Sequence, residues 1–597
     1  MKDKRKKQLI IAGSILIVLL MIGASYAYWS ITHTQTNTNV VHTGCFNISF
    51  TSGSGITMNN ALPIKDAEGK TTTPYHFTIT NTCNSPASYQ INLERLDTST
   101  LASEYVKAVL NKQGPRLLTK YDEVETTIST ATNSYKLYKG TLQPLQTKEY
   151  DLRIWMDYAT TTIQGSNKTF DSKIVVIAVP KIEQKPLELA WNKNFGGTSN
   201  DYFSSVVQTS DGGYIAVGES NSTNGDLAGL NIGMLDAIIV KYDSSGNILW
   251  NKNFGGTSND YFRFVQVTSD GGYIAIGVSY STDGNLTGLN KGGQDAIIVK
   301  YDSSGNVLWN KNFGGSGNDS FAIVQTTSDG GYIAAGTSSS VDDNLTGLNK
   351  GSNDAIVVKY DSSGNVEWNK NFGGTNSDSY NYVALTLDGG YIAVGDSYSI
   401  NGDLVGLNKG DRDAIIVKYD SSGNVEWNKN FGGSGGDYFV SAQGAGDGGF
   451  IAVGESFSND GNLTGLNKGG YDAIIVKYDS SGNIEWNKNF GGSDIDCFTV
   501  GTLLPDDEYI VVGYSGSTND DLTGLNKGLV DAIIVKYDDN GNMLWNKNFG
   551  GSGIDYFNGG ALLPDGGYVA LGESYSTDGD LNGLNKGSID AIIVYYK

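Results

Sequence analysis

Histidine is almost missing from this chain. Only His33, His42 and His76 occur in 597 residues, and all three lie in its N-terminal part. No Ser-His-Asp triad or HExxH zinc site can therefore be assembled in the remaining two thirds. Cysteine is equally scarce, at Cys45, Cys83 and Cys497. Cys497 has no histidine to activate it and reads as a small buried hydrophobe rather than a nucleophile. Basic charge is also short. The formal net charge is −22, and because the N-terminal part carries a slight basic excess, the rest holds the whole acidic surplus. Such a field repels phosphate, which excludes nucleic acid and anionic membrane surfaces as partners.

Against these absences stands a repeat. WNKNFGG begins at Trp191, and its tryptophan returns at Trp250, Trp309, Trp368, Trp427, Trp486 and Trp545, always 59 residues on. Within each unit, turns such as Ser269-Asp270-Gly271-Gly272 and Ser303-Ser304-Gly305-Asn306 separate short apolar runs. Gly and Asn there supply the positive backbone angles of tight hairpins, so each unit predicts four strands in two hairpins. Runs such as Tyr273 to Ile276 and Ala296 to Val299 are continuously apolar and β-branched, which fits strands covered on both faces. Repeated four-stranded sheets covering one another describe a propeller. A β-solenoid would run at a shorter period without two hairpins per unit.

The array begins with a lone fourth strand, Leu187 to Phe195, and ends at Lys597 after a third strand. Joining the two gives seven complete blades and removes both open edges. The sixth unit departs from the rest at Leu504-Pro505-Asp506-Asp507-Glu508-Tyr509, where Gly-Gly is lost, and an altered hairpin in a retained blade is expected.

The tryptophan strand, FGGS-x-x-D, TSDGGYIAVG and DAIIVKYD-x-x-GN together resemble the DGG-type β-propeller repeats of bacterial and archaeal surface and secreted proteins, from Leu187 to Lys597. The resemblance implies a surface-displayed interaction scaffold. It transfers no catalytic residue.

Residues 1–30 open with Lys2, Lys4, Arg5, Lys6 and Lys7, followed by an apolar run from Leu9 to Trp29. As a helix this run is long enough to cross a bilayer, with its start held in the cytoplasm and the remainder exported. Ser25 and Ala27 have the spacing a signal peptidase accepts, so the run is either a retained anchor or a signal peptide cleaved after Ala27. Residues 31–44 read as a polar spacer. Residues 45–182 read as a β-sandwich, with strands at Cys45 to Phe50, Tyr75 to Asn81, Ser88 to Leu93, Tyr150 to Met156 and Lys173 to Val179. Tyr105 to Leu110 fits either a short helix or a strand. SYAYWS followed by YHFTITNTC resembles the camelysin and TasA-like exported proteins of Gram-positive bacteria, which implies an export route and the sandwich and suggests a matrix role. Cys45 and Cys83 are disulfide candidates in an exported domain, with two free thiols as the alternative.

The expected architecture is thus all-β: a seven-bladed β-propeller preceded by a signal or transmembrane helix and a β-sandwich. Aspartates recur in two columns, from Asp201 to Asp555 and from Asp236 to Asp590, and a residue demanded in every unit points to turn capping or strand bonding. Loops such as STDGNLTGLN and STDGDLNGLN offer the oxygens of Asp283, Asn285, Asp578 and Asp580, which suit Ca²⁺ and equally serve as turn residues. No other cofactor is indicated. Tyr280, Tyr471 and Arg412 lie where units vary and are the candidate ligand face. The reading is a non-enzymatic surface binding or adhesion protein for a glycan or protein ligand, touching membrane only through its N-terminal helix. The alternatives are a structural envelope or matrix component, and a hydrolase with a carboxylate pair in the propeller.

Overall fold

DAIIVKY forms a strand, Asp236–Tyr242, that is buried along its whole length. The reason lies on its two sides. Ile238 and Val240 pack with Val569 and Ile593 in one cluster, whereas Ala237 and Ile239 pack with Val265 and Ala275 in the next. A strand sandwiched between two cores cannot alternate apolar with polar residues, hence the unbroken run. Each fully buried Ile or Val contributes ~1.5–3 kcal/mol.

The computed structural model describes residues 41–43, 46–50, 56–59, 62–84, 87–111, 115–142, 144–165, 167–179, 186–386, 388–504, 507–563 and 566–597. The run from Leu9 to Trp29 and Cys45 lie outside them. Among the described residues no helix is long and apolar enough to cross a membrane. The chain divides into two compact units, the second running from Gln184 to Lys597.

The first unit holds two antiparallel sheets. One has six strands, with Tyr75–Asn81 and Thr147–Met156 at its centre, and the other has five, with Thr169–Val179, Ala87–Leu96 and Ala131–Leu142 adjacent. Phe77, Ile79 and Tyr150 of the first sheet share one core with Tyr89, Ile91 and Ile174 of the second. Tyr75–Asn81 buries alternate residues, and its buried Asn81 is satisfied by donating Nδ2 to Leu142 O at 2.8 Å. Val106–Leu110 is a strand, not a helix. Its apolar residues complete this core, where two ladders outweigh local helix preference.

The second unit is a β-propeller-like series of four-stranded antiparallel sheets. The sheet of Asp201–Gln208, Tyr214–Ser220, Asp236–Tyr242 and Ile248–Phe254 is repeated in sequence order to Met543–Phe549. The last sheet takes Asp555–Leu562, Tyr568–Ser574 and Asp590–Tyr596 from the end of the chain and Leu189–Phe195 from the start of the unit. First strands of successive sheets touch, and Asp555–Leu562 touches Asp201–Gln208, so the series returns on itself. Glycine is required where one sheet meets the next. Gly305 has φ +77, and a Cβ there would meet the Trp250 ring at 2.8 Å.

In the sixth sheet Asp507 takes φ 60 where the other hairpins have glycine, and Leu504 N donates to Glu508 O at 2.8 Å. Glu508 also replaces the usual turn aspartate as partner of the buried Lys536, at 2.6 Å. The four strands are retained.

Candidate functional site

The first strands all begin at one end of their sheets, and the aspartate columns organise that end. Asp260 is fully buried. Its carboxylate accepts from Ser279 Oγ, from Ser281 Oγ at 2.8 Å and from Gly256 N at 2.8 Å. Three donors from two segments thus converge on one side chain, and the residue recurs because every sheet needs the same staple. Asp295 belongs to the second column and accepts from Lys291 N at 2.5 Å and Asn312 Nδ2 at 2.8 Å. Burial raises the pKa of both carboxyls despite these bonds.

The four oxygens considered for calcium are taken up in the same way. Asp283 accepts from Thr257 N at 2.8 Å, Asn285 from Gly255 N at 3.0 Å and Asp578 from Ser552 N at 2.6 Å. Asp580 accepts from Lys527 Nζ at 2.5 Å. These residues fasten the loops to backbone N–H groups. Among the described residues no group of three or more His, Cys, Asp or Glu is placed to hold a metal ion.

Just beside the first column, the units stop resembling each other. The residue after each aspartate pairs across the ladder with a second-strand position, giving Tyr202↔Glu219, Ser379↔Asp396, Tyr438↔Glu455, Cys497↔Tyr514 and Tyr556↔Glu573. These side chains form an arc across several sheets. Arg412 donates Nε to Asp396 Oδ2 at 2.8 Å, with its guanidinium 4.1 Å from the Tyr438 ring centre and 5.7 Å from that of Tyr398. Tyr471 packs on Tyr438 and on Phe457, with centroids at 6.3 and 5.2 Å. Tyr514 meets Tyr556 edge-on at 4.7 Å. Tyr280 packs on Tyr261 at 6.4 Å and donates its hydroxyl to Gln294 Oε1 at 2.5 Å. Tyr280, Tyr398, Phe457 and Tyr575 are 41%, 37%, 52% and 41% exposed, so the arc opens to solvent.

Its three glutamates, like the framework aspartates, are raised by burial. Burial pushes Glu455 up to about 7, against the pull of Cys497, Arg412 and Tyr514. Burial and the charge of Glu219 push Glu573 up to about 7. Glu219 is raised by burial while Arg263 pulls it down. Glu219 Oε2 and Glu455 Oε2 are buried without hydrogen-bond partners. Carboxyls near neutrality in an aromatic mouth can exchange protons or meet a cation.

Tyr280, Tyr471 and Arg412 thus all belong to this arc, whereas Glu219, Asp396, Glu455, Tyr514 and Glu573 were missed. A signal was present. In the repeated YIAVG-x-S strand, x is acidic in four units, a charge placed inside an otherwise apolar covered strand. Cys497 is buried and free, but it sits beside Glu455 and Tyr514 rather than in purely apolar surroundings. Cys83 is disulfide-bonded.

No family model matches the chain. It is 24% identical over 214 residues to the regulatory protein FlaEY of Caulobacter vibrioides, covering 32% of this chain and 22% of that protein. The chain therefore matches less than a quarter of that relative's length. Among solved structures it is similar to BamB from Moraxella catarrhalis, at 13% identity and a TM-score of 0.32, over 69% of this chain and 100% of that one. It is also similar to the extracellular domain of a putative hybrid two-component system from B. thetaiotaomicron, at 11% identity and a TM-score of 0.34, over 91% of this chain and 59% of that one.

Proposed function

We propose that the protein is an exported cell-surface binding protein in which a seven-bladed propeller of the DGG type presents the tyrosine, glutamate and arginine arc to a surface glycan. The two-sheet N-terminal unit is then a membrane-proximal β-sandwich. The observation that carries this reading is the contrast within one end of the sheets. The framework aspartates are identical from sheet to sheet, while the neighbouring open positions differ and are rich in exposed aromatic rings. Aromatic faces beside carboxylates and a guanidinium suit a sugar, which offers apolar C–H faces and hydroxyl groups together. Glycan-array binding by the whole chain, lost on Tyr471→Ala or Arg412→Ala while the β-sheet circular dichroism is unchanged, supports the reading. Capture of a protein ligand with no glycan signal rejects it in favour of a protein-binding face.

A hydrolase is the second reading, favoured by the coupling of Glu219 to Glu573, two carboxyls of which one titrates near neutrality. Turnover of chromogenic glycosides that disappears in Glu573→Gln would establish it. The whole-chain reading as a binding protein requires no turnover.

A further inference from the structure

Arg412 shows what this end of the molecule does with a cation. Its guanidinium lies between the rings of Tyr398 and Tyr438 and is anchored by Asp396, so one carboxylate and two tyrosines from adjacent sheets form a clamp. The same clamp recurs where the last sheet meets the first. Glu573 stands at the strand position of Asp396, Tyr575 at that of Tyr398 and Tyr202 at that of Tyr438. The backbone is equivalent as well. Asp437 N donates to Arg412 O at 2.7 Å, and Asp201 N donates to Ile589 O at 3.0 Å. Ile589 therefore occupies the arginine's place in this second clamp.

The side chains around it carry the mark of that missing charge. Among the described residues neither Glu573 nor Glu219 forms an ion pair within 4.0 Å, although the charge of Glu219 raises Glu573. Burial, Tyr575 and the charges of Glu573 and Glu219 push Tyr202 up to about 12. Asn558 Nδ2 reaches Glu573 Oε2 only at 3.5 Å, and Arg263 acts on Glu219 while stacked 5.4 Å from the Tyr261 ring. Glu219 Oε2 is buried without a partner, as is Glu455 Oε2 at the same position beside the filled clamp, so the two clamps differ at Glu573, which lacks the arginine that Asp396 has. Two repelling carboxylates walled by tyrosine faces present the field that an organic cation relieves.

We propose that the Glu573, Tyr575 and Tyr202 clamp binds an external guanidinium group, seated as Arg412 is seated in its sister clamp. This ligand assignment rests on the reading of this end as the binding face and adds a positively charged group to what it recognises. A planar guanidinium fits better than an ammonium because it stacks on both rings while donating to the carboxylate.

The test is a titration of the full chain with ethylguanidinium at neutral pH, followed by calorimetry or by chemical shifts of the tyrosine rings. One saturable millimolar site is expected, at least threefold weaker for ethylammonium. Glu573→Gln should weaken it tenfold or more while leaving the melting temperature equal or higher, because a like charge is removed. Ile589→Arg should fill the clamp from within and abolish the site, and Arg412→Ala should open a second site in its sister. Binding unaffected by both Glu573→Gln and Ile589→Arg, stronger binding of ethylammonium, or no saturation overturns the assignment. If ethylguanidinium fails while a glycan still binds, only this inference falls and the surface-binding reading stands.

Discussion

Glu188 and Lys597 exchange two backbone hydrogen bonds, each N–H donating to the other's carbonyl at 2.8 Å. The pair extends the ladder in which Phe195 faces Ala591 and Leu189 faces Tyr596. An early strand thereby covers the edge of the final one, and that edge is the place where a loosened series of sheets would recruit another chain.

Two phenylalanines test this. Phe195 and Phe313 are both buried and occupy equivalent fourth-strand ends, but only Phe195 lies on the closing strand. Truncation of either to alanine should cost about 3–5 kcal/mol. Phe195→Ala should in addition make the protein self-associate with rising concentration, as its closing strand detaches first. Light scattering over a concentration series reads the difference, and equal behaviour of the two variants would count against the closing strand as the guard of that edge.

Cys497 should be inert in the folded protein. Burial and the neighbouring Glu455 push its thiol well up, so the reactive thiolate is suppressed. With Cys83 already bonded, thiol reagents at pH 8 should titrate nothing in native protein and one group after denaturation without reductant. Rapid native labelling of Cys497 would show that the arc opens far more than its packing implies.

The carboxyls predict an unusual pH profile. Asp260 and Asp295 are raised by burial, Asp496 to about 6, and Glu455 and Glu573 to about 7. A carboxyl whose folded pKa exceeds its unfolded one gives stability that is full below the unfolded value and is lost as pH rises through the folded one. Asp211, Asp270 and Asp329 are held at about 2 by their lysine, threonine and backbone partners, so their contribution is lost only as pH falls below the ordinary carboxyl range. The melting temperature should therefore be higher at pH 5 than at pH 8, and Glu573→Gln should flatten the decline. A rise between pH 5 and pH 8 would contradict these shifts.

The hairpin lysines separate two kinds of pairing. Lys300 has a side chain 5% exposed and pairs with Asp270 at 2.9 Å, whereas Lys359 pairs with both Asp329 at 2.9 Å and Glu367 at 3.0 Å. Asp270→Ala strips Lys300 of its carboxylate and should cost about 1–3 kcal/mol. Asp329→Ala leaves Glu367 in place and should cost less. Urea unfolding of the two variants decides, and an equal loss would mean that Glu367 does not compensate.

The repeated four-strand sheets were legible because three independent signals share one period: the tryptophan strand, the glycine hairpins and the fully apolar third strand. The arc was harder to find. Sequence columns reward sameness, and this site is built where sameness ends, at Glu219, Asp396, Glu455, Tyr514 and Glu573 on strands whose other residues are framework. Tyr280, Arg412 and Tyr471 were found because they lie just outside the strands, in positions whose variation is conspicuous. In the N-terminal unit Ala131–Leu142 was missed because it mixes lysine and tyrosine, and its two ladders rather than its composition make it a strand.

The short helical turn between the second and third strands sets the last prediction. Its first residue is glycine in five sheets, as at Gly284 with φ +58, where a Cβ would meet Gly255 O at 2.4 Å. In the third and sixth sheets that residue is Asp343 or Asp520, with φ 48 and φ 52. Both aspartates hold a left-handed backbone that glycine adopts without cost, in a position already crowded by the neighbouring loop. Asp343→Gly and Asp520→Gly should each stabilise the protein by about 0.5–1 kcal/mol, and the effects should add because the two turns belong to different sheets. Gly284→Asp should do the reverse. Thermal unfolding of the single and double variants measures all of this, and destabilisation by Asp343→Gly would show that the aspartate side chain has a role beyond the conformation it is forced to take.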